Sequence, residues 1–229
     1  MTSPGSPGPR PESSRSNPVG PNPAGPNPGG SGRHRRLFVA AWPDAGARGE
    51  LERILERLRR FDGDVRWAPP GNLHVTLQFL GDVPDVRGEE LTELLARATR
   101  PAAPFAWRLS GLGTFPARGD VRVVWTGVAE GARELAALAS RLERELAAHA
   151  FVRPSDRPFR AHLTLGRPRS PRDHGALRDL LRELRFEGSE RFLEEVTLVE
   201  SLLSPRGAEY RVVARLPLAT PPEDRRRAS

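Results

Sequence analysis

The chain has 229 residues, enough for one or two compact domains with a core of their own. It holds no cysteine and no lysine, and all 36 cationic side chains are arginine, which excludes disulfides, thiolate chemistry, Schiff bases, a P-loop lysine and a nucleotidyl-lysine intermediate. The net charge of +7 suits an anionic partner, nucleic acid among them.

Residues 1–34 are rich in Pro, Gly, Ser and Asn, with nine of the 24 prolines in the first 28 positions. Such a segment has almost nothing to bury, and it reads as a disordered extension. Arg36–Trp42 is a short apolar run that fits a buried strand. Pro43 and Asp44 then open a helix to about Arg60, with Leu51, Ile54, Leu55 and Leu58 at helical spacing. Val65–Ala68 is a short extended piece stopped by Pro69-Pro70-Gly71, and Leu73–Leu80 alternates as a strand. Val86–Thr99 reads as a helix.

The second half repeats the rhythm. Phe105–Leu112 and Val121–Val128 read as strands, Ala132–Ala150 as a helix, Arg160–Arg167 as a strand and Arg172–Leu184 as a helix. Phe192–Ser204 and Glu209–Leu216 form a closing strand pair around a turn at 204–207. The tail at 220–229 is a flexible, Arg-rich charge run. The expected organisation is therefore one domain over 35–219 between two flexible ends. Strands and helices mix without strict βαβ order, so the class is α+β with antiparallel sheets. No apolar run approaches a membrane span and no signal-peptide core is present, so the expected location is the cytoplasm.

Two segments stand out, Leu73-His74-Val75-Thr76-Leu77 and Ala161-His162-Leu163-Thr164-Leu165, at corresponding places in the two halves. Strand alternation puts His74 and Thr76 on one face, with Leu73, Val75 and Leu77 on the other. The same split separates His162 and Thr164 from Ala161, Leu163 and Leu165. By that alternation Phe79 joins Leu77 in the core. Two such strands facing one cleft offer two imidazoles and two hydroxyls around one anion. One neutral His can take a proton from attacking water, and one protonated His can give a proton to a departing ribose oxygen. The residues alone do not say which His does which. A structural role for each His, a metal site and a Ser/His/Asp hydrolase are the rival readings. The sequence has no His-x-x-x-His helix, no Cys and no Gly-x-Ser-x-Gly elbow to support the last two.

At these motifs the chain resembles the 2H phosphoesterase superfamily, and within it the RNA 2′,3′-cyclic phosphodiesterase (2′-5′ RNA ligase) family. The likeness runs through Arg36-Leu-Phe-Val-Ala40, Arg66–Gly81, Phe115-Pro-Ala-Arg118 with Val123-Val-Trp125, Arg157–Arg167, and Glu200–Gly207 with Tyr210. The resemblance implies a two-lobed, LigT-like fold with antiparallel sheets around a central cleft and helices outside. It implies metal-independent and cofactor-free opening of an RNA terminal 2′,3′-cyclic phosphate to a 2′-phosphate. It makes His74 the proton donor and His162 the proton acceptor, with Thr76, Thr164 and Arg167 on the phosphate. Expected partners are RNAs with 2′,3′-cyclic phosphate ends, such as tRNA fragments, or small cyclic nucleotides, acted on by a monomer. The same site offers three alternatives: 2′-5′ end-joining by the reverse reaction, action on another cyclic or 2′-5′-linked nucleotide, or RNA binding without catalysis. Two positions depart from the family pattern. Gln78 replaces a common lysine and weakens phosphate attraction there; Ala161 replaces a common proline and only relaxes the strand entry. Trp67 and Phe159 read as packing residues ahead of cleft platforms, and Arg118 and Arg157 as solvated ahead of RNA-bound.

Overall fold

The structure, a computed structural model, describes residues 33–219 except 206. The expectations for the Pro/Gly-rich start and the Arg-rich tail lie outside the described residues, apart from the short stretch next to β1. The elements run β1 (His34–Ala41), α1 (Ala45–Leu58), β2 (Val65–Trp67), β3 (Val75–Pro84), α2 (Gly88–Thr99), β4 (Phe105–Phe115), β5 (Val123–Glu130), α3 (Ala132–Ala148), β6 (His162–Pro168), α4 (His174–Glu183), β7 (Arg191–Leu193), β8 (Glu195–Ser204) and β9 (Gly207–Pro217).

Local chemistry sets the helix ends. Asp44 caps α1, its carboxylate accepting from the Ala47 N–H at 2.7 Å. Leu51, Ile54, Leu55 and Leu58 form the buried stripe of that helix, as their spacing requires. Replacing Asp44 by alanine is expected to cost about 1 kcal/mol, read as a lower urea midpoint, with Asp44→Asn close to wild type. The helix expected from Val86 starts instead at Gly88, after a single 3-10 turn over Asp85–Arg87.

Every strand pairing is antiparallel. The strands form one nine-stranded sheet in the order β7-β4-β5-β6-β3-β1-β8-β9, with β2 beside β6. The two halves of this sheet meet at the Val75–Leu163 pair between β3 and β6. This narrow junction is the seam between the two lobes.

One expected strand is in fact two. Phe192–Ser204 breaks at Glu194: β7 pairs with β4, while β8 pairs with β1 and β9. Those neighbours lie toward opposite ends of the strand order, yet one residue separates β7 from β8. The sheet must therefore curl until its ends approach. The Leu218 N–H donating to the Glu194 carbonyl at 2.7 Å continues the β8–β9 ladder up to the residue that links β7 to β8.

All four helices pack on one side of the sheet. Their leucines share a single core with alternate strand residues, among them Leu37, Val39, Val75, Leu163 and Leu198. Burying each of these leucines is worth roughly 1.5–3 kcal/mol. The opposite face carries a small second cluster of Phe38, Ala40 and Val199, flanked by Trp42 and Tyr210. That face, free of helices, is where the two motifs come to lie.

Candidate active site

His74 immediately precedes β3, and His162 is the first residue of β6. Val75 pairs with Leu163, and both are fully buried on the core side. Extending this register by one residue each way sets His74 across from Thr164, and Thr76 across from His162. The two imidazoles are then diagonal neighbours on one face, a relation that sets residues roughly 7–8 Å apart with Cβ atoms somewhat closer. The alternation expected for both motifs holds: the His and Thr residues are half-buried on the open face, and the aliphatic residues between them are buried.

Both rings are fixed in the same way. His74 Nδ1 lies 2.7 Å from the Asn72 carbonyl, and His162 Nδ1 lies 2.8 Å from the Arg160 carbonyl. A carbonyl can only accept, so each Nδ1 carries the proton. Each Nε2 is left to work toward the cleft. His74 Nε2 is 3.0 Å from the Thr76 hydroxyl, which can donate to it. Rings enclose His74: Phe38 at 4.9 Å, Trp42 at 5.1 Å and the edge of Tyr210 at 5.3 Å between centroids. Phe115 meets His162 edge-on at 5.0 Å and leans on Trp125.

This enclosure governs the proton affinities. Burial lowers the His74 pKa to about 4; the Asn72 carbonyl opposes the shift and the His162 charge adds to it. Burial also lowers His162, again opposed by a backbone carbonyl, with the Arg167 charge adding to the shift. Burial raises the Tyr210 phenol, against the pull of Arg167 and Arg36. These mutual influences place His74, His162, Arg167 and Tyr210 around one space.

Arg167 reaches that space by a route that alternation hides. It is five residues after His162, an odd number, so a regular strand would turn it to the core side. The register jumps at this point: Trp125 pairs with Thr164, but Val124 pairs with Gly166. Leu165 is an extra residue, a β-bulge that flips the faces beyond it. The same device occurs in β3, where Ala40 pairs with Thr76 but Val39 pairs with Gln78, leaving Leu77 as the extra residue. Phe79, five residues after His74, is turned outward in the same way. It is 47% exposed and 6.3 Å from the Phe38 ring, so its expected place in the core is corrected. A second bulge at Leu80 restores the core side for Val83. The two motifs thus share a bulge at the leucine after Thr, with Arg167 and Phe79 at equivalent positions.

Trp67 lies over Gly166, where an added Cβ would come within 2.6 Å of its ring, and packs into the core. Phe159 packs there too. Arg118 and Arg157 are exposed on the loops before β5 and β6. Arg66 stands opposite Arg167 on β2, adding positive charge to the rim. The sequence reading assigned no role to Phe38, Trp42, Asn72, Phe115 or Tyr210. The four aromatic residues give the same signal as core residues, and Asn72, in the turn Pro70–Asn72, gives only that of a polar turn residue. Among the described residues, no group of three or more His, Cys, Asp or Glu side chains is placed to hold a metal ion. None of the described helices is long and apolar enough to cross a membrane.

A family model of the 2′-5′ RNA ligase superfamily matches residues 43–202. The chain belongs to the 2′-5′ RNA ligase superfamily. Its relatives within this superfamily include an RNA 2′,3′-cyclic phosphodiesterase of Methanothermobacter thermautotrophicus, 35% identical over 76% of this chain and 94% of that protein. The Thermus thermophilus RNA 2′,3′-cyclic phosphodiesterase is 37% identical over 80% of this chain and 90% of its own length. Among solved structures, TT0787 of Thermus thermophilus superposes with a TM-score of 0.65 at 34% identity, covering 80% of this chain and 97% of that one. Escherichia coli LigT, solved with 3′-AMP, superposes with a TM-score of 0.63 at 27% identity, covering 82% of this chain and all of LigT. The α+β fold with an antiparallel, curled sheet is thus the superfamily's own.

Proposed function

We propose that this protein hydrolyses RNA terminal 2′,3′-cyclic phosphates to 2′-phosphomonoesters, with His74 and His162 as the acid and base. The observation that carries this reading is the meeting of two bulged His-x-Thr-Leu strands at the lobe seam. Its register supports two imidazoles and two Thr residues on one face with Arg167 nearby, a set of groups suited to a phosphate. The relatives named as RNA 2′,3′-cyclic phosphodiesterases support the substrate class.

His162 Nε2 takes a proton from water, and the water oxygen attacks phosphorus in line with the P–O3′ bond. That bond breaks, and the proton on His74 Nε2 passes to the leaving O3′. Thr76, Thr164 and Arg167 hold the phosphoryl oxygens and meet their growing charge. This assignment gives a physical sense to one difference between the motifs, Arg167 against Phe79. Burial depresses His162 and the Arg167 charge adds to it, which favours the neutral form that a base needs. The equivalent position beside His74 is the uncharged Phe79, so the burial and the His162 charge that oppose a proton on His74 are offset by the arriving anionic phosphate without a guanidinium at that position to add to them. Held neutral by burial, His74 gains its proton together with the substrate charge. Phe79, exposed and backed by the buried Phe38 ring, offers an apolar surface beside His74 on which a nucleobase can stack without reading its identity. The nucleotide held by LigT in its 3′-AMP complex is of the matching size and class.

The expected result is conversion of an oligoribonucleotide 2′,3′-cyclic phosphate to its 2′-phosphate, unchanged by excess EDTA, with products separated by chromatography. A 3′-phosphate product would reverse the roles of the leaving oxygens. No turnover on a panel of such RNAs would remove the reading.

A further inference from the structure

Of the three rings around His74, two come from the segment of β1: Phe38 within the strand and Trp42 just beyond its end. The third, Tyr210, comes from β9, at the far edge of the sheet order. It stands opposite Ser201 in the β8–β9 hairpin, whose strands carry it to the open face. Its ring meets His74 nearly perpendicular, at 86°, and meets Phe38 edge-on at 5.1 Å. When His74 Nε2 leaves the Thr76 hydroxyl for the substrate, the imidazole keeps only its Nδ1 hydrogen bond to Asn72, and that one contact leaves it free to rock about its Cβ–Cγ bond. Phe38 and Trp42 lie tilted against it, and Tyr210 adds a third ring, nearly perpendicular to it, against which such rocking would run.

The hairpin that bears Tyr210 is itself tied to the His74 turn. The Asn72 side-chain amide donates to the Ala208 carbonyl at 2.8 Å. The Asn72 backbone carbonyl is the group that accepts from His74 Nδ1. One residue therefore fixes the tautomer of His74 and anchors the strand two positions before Tyr210. The hairpin end also lies against the other lobe: at Gly207, with φ +131°, an added Cβ would sit 2.4 Å from the Arg66 guanidinium.

We propose that Tyr210 is a positioning residue for His74, its ring edge locking the imidazole in the orientation that points Nε2 at the phosphate. The hairpin is then part of the active site, reaching it through Asn72 and Tyr210. This rests on the phosphoesterase reading above, but its test does not need turnover. The groups whose charge bears on His74 and Tyr210 are His162 and Arg167 from β6 and Arg36 from β1. None of them changes in the variants.

The imidazole resonances of His74 are followed by NMR through a pH titration in the wild type, Tyr210→Ala and Tyr210→Phe, alongside kcat on a cyclic-phosphate oligonucleotide. Tyr210→Ala admits water to the ring, so the His74 midpoint should rise by about one unit. Its kcat should fall roughly 10²-fold, the scale of a misplaced catalytic group. Tyr210→Phe keeps the ring edge and should match the wild type in both readouts. If Tyr210→Ala does not fold, Tyr210→Leu takes its place, keeping apolar bulk on β9 without an aromatic edge. An unshifted midpoint and unchanged kcat in the Ala or Leu variant would overturn the proposal, and so would a Phe variant as impaired as that variant. If the wild type turns over none of the RNAs, the functional reading fails, while the titration still decides the role of Tyr210.

Discussion

Replacing His162 by alanine is expected to lower turnover of an RNA 2′,3′-cyclic phosphate roughly 10²- to 10⁴-fold, and His74→Ala by a similar factor. Each substitution removes the group that moves a proton as phosphorus is attacked or as O3′ leaves. Both side chains lie half-buried on the helix-free face, while their neighbours Val75 and Leu163 carry the packing. The losses should therefore appear in kcat, with circular dichroism and urea midpoints close to those of the wild type. The double variant should be little worse than either single one, because acid and base act in one step. A folded His162→Ala enzyme retaining more than about a tenth of wild-type turnover would fall outside the range of general acid–base catalysis and refute the assignment.

Stability against acid supplies the second large effect. An unfolded His titrates near 6.5, whereas burial holds folded His74 near 4. Between those values the unfolded chain binds the extra proton. The contribution is therefore fully present above about pH 6.5 and is lost as pH falls toward 4. Going from pH 7 to pH 5, the wild type should lose about 2 kcal/mol more than His74→Asn, which has no such titration. Paired urea curves at the two pH values isolate this contribution, since the carboxylates are common to both proteins. Parallel losses would mean that His74 is not held neutral by burial. The same depression has a functional counterpart: the enclosure that keeps His74 unprotonated at rest makes its protonation depend on the arriving phosphate.

Much of the fold could be read in the sequence because the relevant physics is local. The leucines of α1 and α3 fall at helical spacing, and Asp44 stands where a cap is needed. Local pattern also placed His74 beside Thr76 and His162 beside Thr164, since alternation over three residues needs no knowledge of the partner strand. It failed where a neighbour intervened. Phe192–Ser204 reads as one strand, yet β7 and β8 belong to different neighbours across a curled sheet.

The paired His-x-Thr motifs, their residue types and their fitness for phosphate chemistry were thus legible in the chain before any strand was paired. Which other side chains join them was settled by the packing of the strands. Bulges at Leu77 and Leu165 turn Phe79 and Arg167 onto the site face, and these bulges exist because β1 and β5 set the register. Tyr210 reaches His74 only because the sheet carries β9 across to it. Alternation is a property of one strand and is written in its residues. Register is a property of two, and curl a property of the whole sheet, so neither is visible until the strands are paired.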